Sequence, residues 1–248
     1  MNFAEKIYLY CERGHDPSFW AEPLNAVTNL AFIIAAIAAT RDYLAATPER
    51  RTPAAALLVA LTYVIGMGSF LFHVYATRWA SLADQIPIAL FMLAYFGFLL
   101  RRFLGLHWII VLAGLAGFFV TIRLAGSIQC SYGELLPITA RSGARCLNGT
   151  ASYIPALIAL AASALLLAVL RHPAWHLLAL ASVVFLASMT FRTLDIELCE
   201  LTRLGGHLVG SHFMWHMLNA LTLYLLLRAA IRHGTTWSAL RAERTARA

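Results

Sequence analysis

Seven long apolar stretches constrain what this chain can fold into more than any other feature of its sequence. A helix of about 20 apolar residues spans the hydrocarbon core of a bilayer. The stretches lie at about residues 24–40, 53–75, 82–100, 106–124, 152–170, 174–194 and 207–231. Charged residues make up 12% of the chain, whereas soluble domains carry about 25%. We therefore expect an all-α integral membrane protein, with residues 1–248 forming one seven-helix bundle.

The distribution of charge predicts how this bundle is oriented. Seven spans put the termini on opposite sides, and the carboxyl-terminal side receives 11 of the 19 Lys and Arg residues but 3 of the 12 acidic ones. Because basic residues collect in cytoplasmic loops, we expect residues 1–23 to lie outside and residues 233–248 to form a cytoplasmic tail. The net charge of +7 then reflects orientation, and no nucleic-acid partner is expected. The Ala-, Leu- and Arg-rich composition suggests a bacterial inner membrane, with the outer side facing the periplasm.

All four cysteines fall on the predicted outer side, where an oxidising compartment favours disulfides. Four cysteines allow three pairings. We favour Cys130–Cys146, which closes the long connection between the fourth and fifth spans, and Cys11–Cys199, which ties the amino-terminal segment to the bundle. The alternative is that they are unpaired small apolar residues.

Polar residues interrupt the apolar stretches near their predicted outer ends. An ionisable side chain inside a membrane is expensive unless it is paired or bound to an ion, so each one is a functional candidate. Alternating helix directions bring these residues to one depth. His212 and His216 are four residues apart and therefore share a helix face, as two ligands of one metal often do. The full set is Ser69, His73, Asp84, His212 and His216.

These residue types predict a zinc site with hydrolytic chemistry. His73 would complete a three-histidine site with His212 and His216, leaving the fourth position to water. Zinc lowers the pKa of bound water to about 7. Asp84 would then move the proton and Ser69 would stabilise a developing oxyanion. The alternative is that the histidines only form hydrogen bonds between helices.

An acidic cluster, Glu12, Asp16 and Glu22, precedes the first span. Carboxylates together with nearby carbonyl groups are the ligands of a hard cation such as calcium. The spacing is not that of an EF-hand, and the alternative is a solvated acidic arm. The cluster therefore predicts calcium as a possible second cation.

Two motifs carry a resemblance to a known family. GSFLFHVYATRWASLADQ, residues 68–85, resembles the S-x3-H-x10-D signature of the alkaline ceramidases, and SHFMWHM resembles their H-x3-H motif. YCE followed by WAEPLNAVTN resembles the amino terminus of the same family, where W-C-E precedes E-x-x-N. The broader superfamily of seven-helix membrane hydrolases includes adiponectin-receptor-like proteins and GPI-remodelling lipases. The chain resembles a bacterial-type member.

The resemblance implies a function for the predicted site. Zinc would be held by His73, His212 and His216, with Asp84 orienting or deprotonating the water and Ser69 assisting at the oxyanion. The reaction would be hydrolysis of ceramide-like N-acyl sphingoid lipids to a fatty acid and a long-chain base. The lipid would enter laterally from the bilayer. The alternatives are a lipid ester hydrolase of the same superfamily and a receptor or scaffold with a structural zinc.

The resemblance also bears on the outer segment. It implies the Cys11–Cys199 disulfide that we favour above. The calcium motif of the family matches less well, because Leu9, Tyr10 and Gly14 stand where the family has aspartate, tryptophan and asparagine.

Overall fold

The computed structural model describes residues 2–129 and 146–234. In these ranges the helices are α1 (Pro23–Thr28), α2 (Leu30–Ala45), α3 (Pro53–Tyr75), α4 (Arg78–Phe98), α5 (Trp108–Ser127), α6 (Ile154–Val169), α7 (Trp175–Leu194) and α8 (His212–His233). A π-helical turn, Leu99–Phe103, continues α4, and 3₁₀ segments cover Pro48–Arg50, Cys146–Tyr153 and Cys199–Leu201. Strands β1 (Arg203–Leu204) and β2 (His207–Leu208) pair antiparallel. The architecture is all-α, as predicted.

Seven helical stretches of the described chain are long and apolar enough to cross a membrane, which confirms the predicted number of spans. The second span, Pro53–Tyr75, has the predicted bounds, and the first combines α1 and α2 as Pro23–Ala45. The seventh begins at His212, five residues later than expected. The reason is the short β1–β2 hairpin, whose two turn glycines, Gly205 and Gly206, have positive φ angles that a helix does not use.

Two predictions reach beyond the described residues. Cys130, one half of the predicted Cys130–Cys146 disulfide, lies outside them, and so do residues 235–248 of the predicted tail.

The contact between α3 and α4 is unusually close at Gly68. A Cβ atom on Gly68 would clash with the backbone oxygen of Ala83. That oxygen has no helical partner, because Pro87, four residues on, has no N–H to donate. Ser69 follows Gly68 in α3, and Asp84 follows Ala83 in α4. The close contact therefore brings Ser69 and Asp84 near each other.

We expect Gly68→Ala to destabilise the protein by about 3 kcal/mol or more, since a methyl group cannot be accommodated against a backbone oxygen without moving a helix. The measurement is thermal unfolding in detergent. Gly117→Ala in α5 is the matched control, because its Cβ would meet no described atom within 4 Å. The control should be neutral or stabilising by up to about 1 kcal/mol. Equal stabilities of the two variants would show that the close contact does not exist.

The segment before α1 lies against the end of α3 and the start of α8 and is fixed there. The predicted Cys11–Cys199 disulfide is present. The carboxylate of Asp195, just after α7, accepts hydrogen bonds from the backbone N–H groups of Cys11 at 2.9 Å and of Ser211 and His212 at 2.8 and 2.9 Å. Through these three hydrogen bonds, the carboxylate holds the amino-terminal segment and the start of α8 together. Burial raises the pKa of Asp195.

Candidate metal centre

His73, His212 and His216 converge as predicted. His73 lies in the last turn of α3, and the other two lie in the first two turns of α8. One ring nitrogen of each lies within 4.8 Å of those of the other two. Each residue is only 1% exposed. The three rings therefore form a compact, buried group of the size that binds one metal ion.

The hydrogen bonds around two of the rings determine which nitrogen is free. His73 Nδ1 lies 2.5 Å from Glu22 Oε2, and an ionised carboxylate only accepts, so Nδ1 carries the hydrogen. His216 Nδ1 lies 3.0 Å from the Thr28 hydroxyl oxygen, whose own hydrogen points to the Leu24 carbonyl at 2.8 Å. His216 Nδ1 is therefore also a donor. In both rings the lone pair is left on Nε2, the arrangement that outer hydrogen bonds impose on metal-binding histidines.

Unpartnered nitrogens support a metal ion at this position. His212 Nδ1 and His216 Nε2 are buried without a hydrogen-bond partner among the described residues. Leaving such atoms unsatisfied costs about 1–3 kcal/mol each, a cost that coordination would remove. Three histidines suit zinc. In the described part of the chain no fourth His, Cys, Asp or Glu joins the group, so the arrangement is that of an open site.

Ser69 and Asp84 lie next to this group. The Ser69 hydroxyl is within hydrogen-bonding reach of the Asp84 carboxylate, which also interacts electrostatically with His73. Ser69 is buried, while Asp84 is partly exposed. Asp84 Oδ1 has no hydrogen-bond partner among the described residues. A carboxylate oxygen is thus available beside the histidines without belonging to the ligand group.

Sequence reasoning missed Tyr10 and Arg192. The Tyr10 ring stacks on His212, with 3.6 Å between centroids, and Arg192 donates to the Tyr10 hydroxyl at 2.7 Å. Burial raises the pKa of Tyr10, which keeps the phenol protonated. The Arg192 guanidinium also lies over the Trp215 ring and interacts with Asp84. Tyr10 therefore fixes the position of the His212 ring, and Arg192 places a positive charge beside the site.

The predicted acidic cluster is divided among separate contacts. Glu12 accepts hydrogen bonds from the backbone N–H groups of Leu24 and Asn25 at the start of α1, and burial raises its pKa. Asp16 is exposed and bonds to Ser18 N–H. Within residues 2–129 and 146–234, the three carboxylates do not form a group close enough to share an ion. Calcium binding stays a prediction.

Glu22 instead orients a histidine. Its Oε2 atom accepts from His73 and from the Asn25 amide, and its Oε1 atom accepts from Arg13 at 2.6 Å. Burial alone raises the pKa of this carboxyl, but His73 and Arg13 outweigh burial and hold it below its ordinary value. Glu22 is therefore a charged group that fixes the tautomer and position of His73.

We expect Glu22→Gln to weaken zinc binding by about 10- to 100-fold, the usual cost of losing an outer hydrogen-bond partner of a ligand. The measurement is competition against a chelator of known zinc affinity. Glu200→Gln is the control, because Glu200 forms an exposed ion pair with Arg203. An unchanged zinc affinity in Glu22→Gln would mean that Glu22 does not orient His73.

The fold and the site together define the class of protein: a helical bundle with seven apolar spans and a buried three-histidine group suited to a metal ion. The family model described as Ceramidase matches residues 8–237. The chain therefore belongs to the ceramidase family, as its motifs predicted, and family membership implies a hydrolase. A search of curated proteins found no match to the chain.

Proposed function

We propose that this protein is a zinc-dependent amidase that hydrolyses ceramide-like N-acyl sphingoid lipids to a fatty acid and a long-chain base. The observation that carries the proposal is the juxtaposition of two elements. One is the buried histidine group, with its unpartnered nitrogens. The other is the adjoining Ser69–Asp84 pair. Family membership supports the choice of a ceramide-like substrate.

An apolar cavity below the histidines supports a lipid substrate. It begins one helical turn from the site, because Ile65, Ile88 and Asn219 lie three or four residues from Ser69, Asp84 and His216 on the same helices. The cavity has a volume of about 80 Å³. Its lining is mainly aliphatic and aromatic and includes Phe91, Phe96, Phe118, Phe185 and Leu226.

The depth of the cavity suits a hydrocarbon chain. From Ile88 to Leu99 it follows α4 and its π-helical extension for about 16 Å at 1.5 Å per residue. A lipid with one chain in this cavity would present its polar linkage at the level of His216 and Asp84. We infer that the substrate enters laterally from the bilayer, since the cavity lies between membrane spans.

The residues of the site have distinct roles in this mechanism. Zinc, when bound by His73, His212 and His216, supplies a Lewis acid that polarises the carbonyl and acidifies water. Asp84 accepts the proton of the water that attacks the carbonyl carbon, and returns it to the nitrogen as the C–N bond breaks. The Ser69 hydroxyl donates to the carbonyl oxygen as negative charge develops there.

We also propose that the site faces the periplasm from a bacterial inner membrane. The amino-terminal segment and the Cys11–Cys199 disulfide lie at the histidine end of the bundle. A disulfide forms in an oxidising compartment, and the distribution of basic residues along the sequence favours a cytoplasmic location for the opposite end.

The test is hydrolysis by purified, zinc-loaded protein of a ceramide and of the ester with the same two chains. We expect one zinc per chain and release of fatty acid and long-chain base from the amide. Cleavage of the ester alone would make the protein a lipid esterase. Zinc binding with neither reaction would favour a receptor or scaffold, although the open ligand group argues against a purely structural zinc.

A further inference from the structure

The guanidinium of Arg13 is buried in the amino-terminal segment and is fully bonded. Its side chain is 0% exposed. Nε donates to Glu22 Oε1 at 2.6 Å, Nη1 to the carbonyls of Asp16 and Ser18 at 3.1 and 2.8 Å, and Nη2 to the carbonyls of His73 and Val74 at 2.8 and 3.3 Å. A guanidinium has five N–H donors. Five oxygens accept from this one.

These acceptors are the kinds of oxygen that bind calcium: a carboxylate and a set of backbone carbonyls. Two of them, the carbonyls of His73 and Val74, belong to the last turn of α3, where carbonyls lack helical partners. Positive charge is stabilising at that end of a helix. These oxygens therefore form a shell around a positive charge, as the ligands of a calcium ion do. Here the positive charge is the guanidinium of Arg13.

The shell has no place for calcium alongside Arg13. A divalent ion at these oxygens would lie against a guanidinium and be repelled by it. Glu12, another of the predicted calcium ligands, has both oxygens on backbone N–H groups. The residues present therefore do not fit a calcium ion.

We propose that the guanidinium of Arg13 takes the place of a bound calcium ion in this protein. It neutralises Glu22, caps α3 and joins the amino-terminal segment to His73. Arg13 is thus a positioning residue for the histidine group, and the protein needs no calcium. This inference rests on the contacts of Arg13 and stands whether or not ceramide is the substrate.

The first test uses the wild-type protein, freed of calcium on a chelating resin and then loaded with zinc. Calcium is added up to about 1 mM while the thermal midpoint and the binding of radioactive calcium are measured. We expect no shift of the midpoint and no saturable binding. A ligand that binds the folded state raises its stability by mass action, so a saturable rise in the midpoint would overturn the proposal.

The second test removes the internal cation. Arg13→Ala leaves the five oxygens without a donor, and we expect a lower thermal midpoint and zinc affinity weakened at least about 10-fold. Calcium should now bind to this variant and restore part of its thermal midpoint and part of its zinc affinity. A variant that had only lost structural contacts would not respond to calcium in this way. Arg13→Lys keeps the charge but not the five-donor fork, so it should weaken zinc binding and remain insensitive to calcium.

Arg78→Ala is the matched control, since Arg78 forms an exposed ion pair with Glu5 in the same region. It should leave the midpoint and the zinc affinity unchanged. Wild-type behaviour of Arg13→Ala in both measurements, or its failure to respond to calcium, would overturn the proposal. If Arg13→Ala does not fold, the wild-type titration and Arg13→Lys decide the question. All readouts are independent of lipid hydrolysis.

Discussion

His216→Ala is expected to lose its zinc and to hydrolyse lipid at least about a thousandfold more slowly than the wild type. His216 supplies one of three nitrogens, and its Nε2 atom has no hydrogen-bond partner in the described structure. Two histidines cannot complete a stable zinc site. In the proposed mechanism the rate falls because loss of zinc removes both the Lewis acid and the acidified water. The measurement is zinc content by mass spectrometry, paired with product release.

His207→Ala is the matched control for this variant. His207 is exposed in the β1–β2 hairpin, five residues before His212. It should retain one zinc per chain and wild-type turnover. Full zinc occupancy in His216→Ala would contradict the proposed zinc site, because zinc binding would then not require His216.

Asp84→Asn is expected to keep its zinc but to lower kcat by about 10²- to 10⁴-fold, the usual contribution of a positioned general base. The carboxylate lies outside the histidine group, so ion binding does not require it. Asparagine has nearly the same shape but cannot accept the proton of the attacking water. The acidic limb of the pH–rate profile should also disappear. The measurements are zinc content and kcat as a function of pH.

The control is Asp42→Asn, in α2, where the carboxylate accepts from Tyr224 and lies near Arg228. It should leave kcat and zinc content unchanged. Loss of zinc in Asp84→Asn would show instead that Asp84 is a ligand or supports the fold of the site. Retained zinc with wild-type turnover would exclude Asp84 as the base.

The fold class and the histidine group were predictable because their signals are local or periodic. Seven apolar stretches are read directly from the chain. The four-residue spacing of His212 and His216 places them on one helix face. His73 required the further step of counting helix directions, which predicted that the end of α3 and the start of α8 lie at one depth. The geometry of the trio confirms that step.

The surroundings of the trio were not predictable in the same way, because they depend on contacts between distant parts of the chain. Tyr10 bonds to Arg192 across 182 positions. The sequence groups Glu22 with the acidic residues Glu12 and Asp16 that precede it, whereas the fold pairs it with Arg13 and His73. Sequence spacing does not show which nearby charge neutralises a buried carboxylate.

The pairing of α3 with α8 has a consequence for biosynthesis. His73 and His212 lie 139 positions apart, so during synthesis the second span is made long before the seventh. Until α8 has left the ribosome, His73 cannot meet His212 and His216, so the group that we propose to hold zinc does not yet exist. The Cys11–Cys199 bond, which spans 188 positions, is subject to nearly the same delay. Formation of the histidine group and formation of the disulfide are therefore late events, which must wait for the synthesis of α8 and of the segment after α7, respectively.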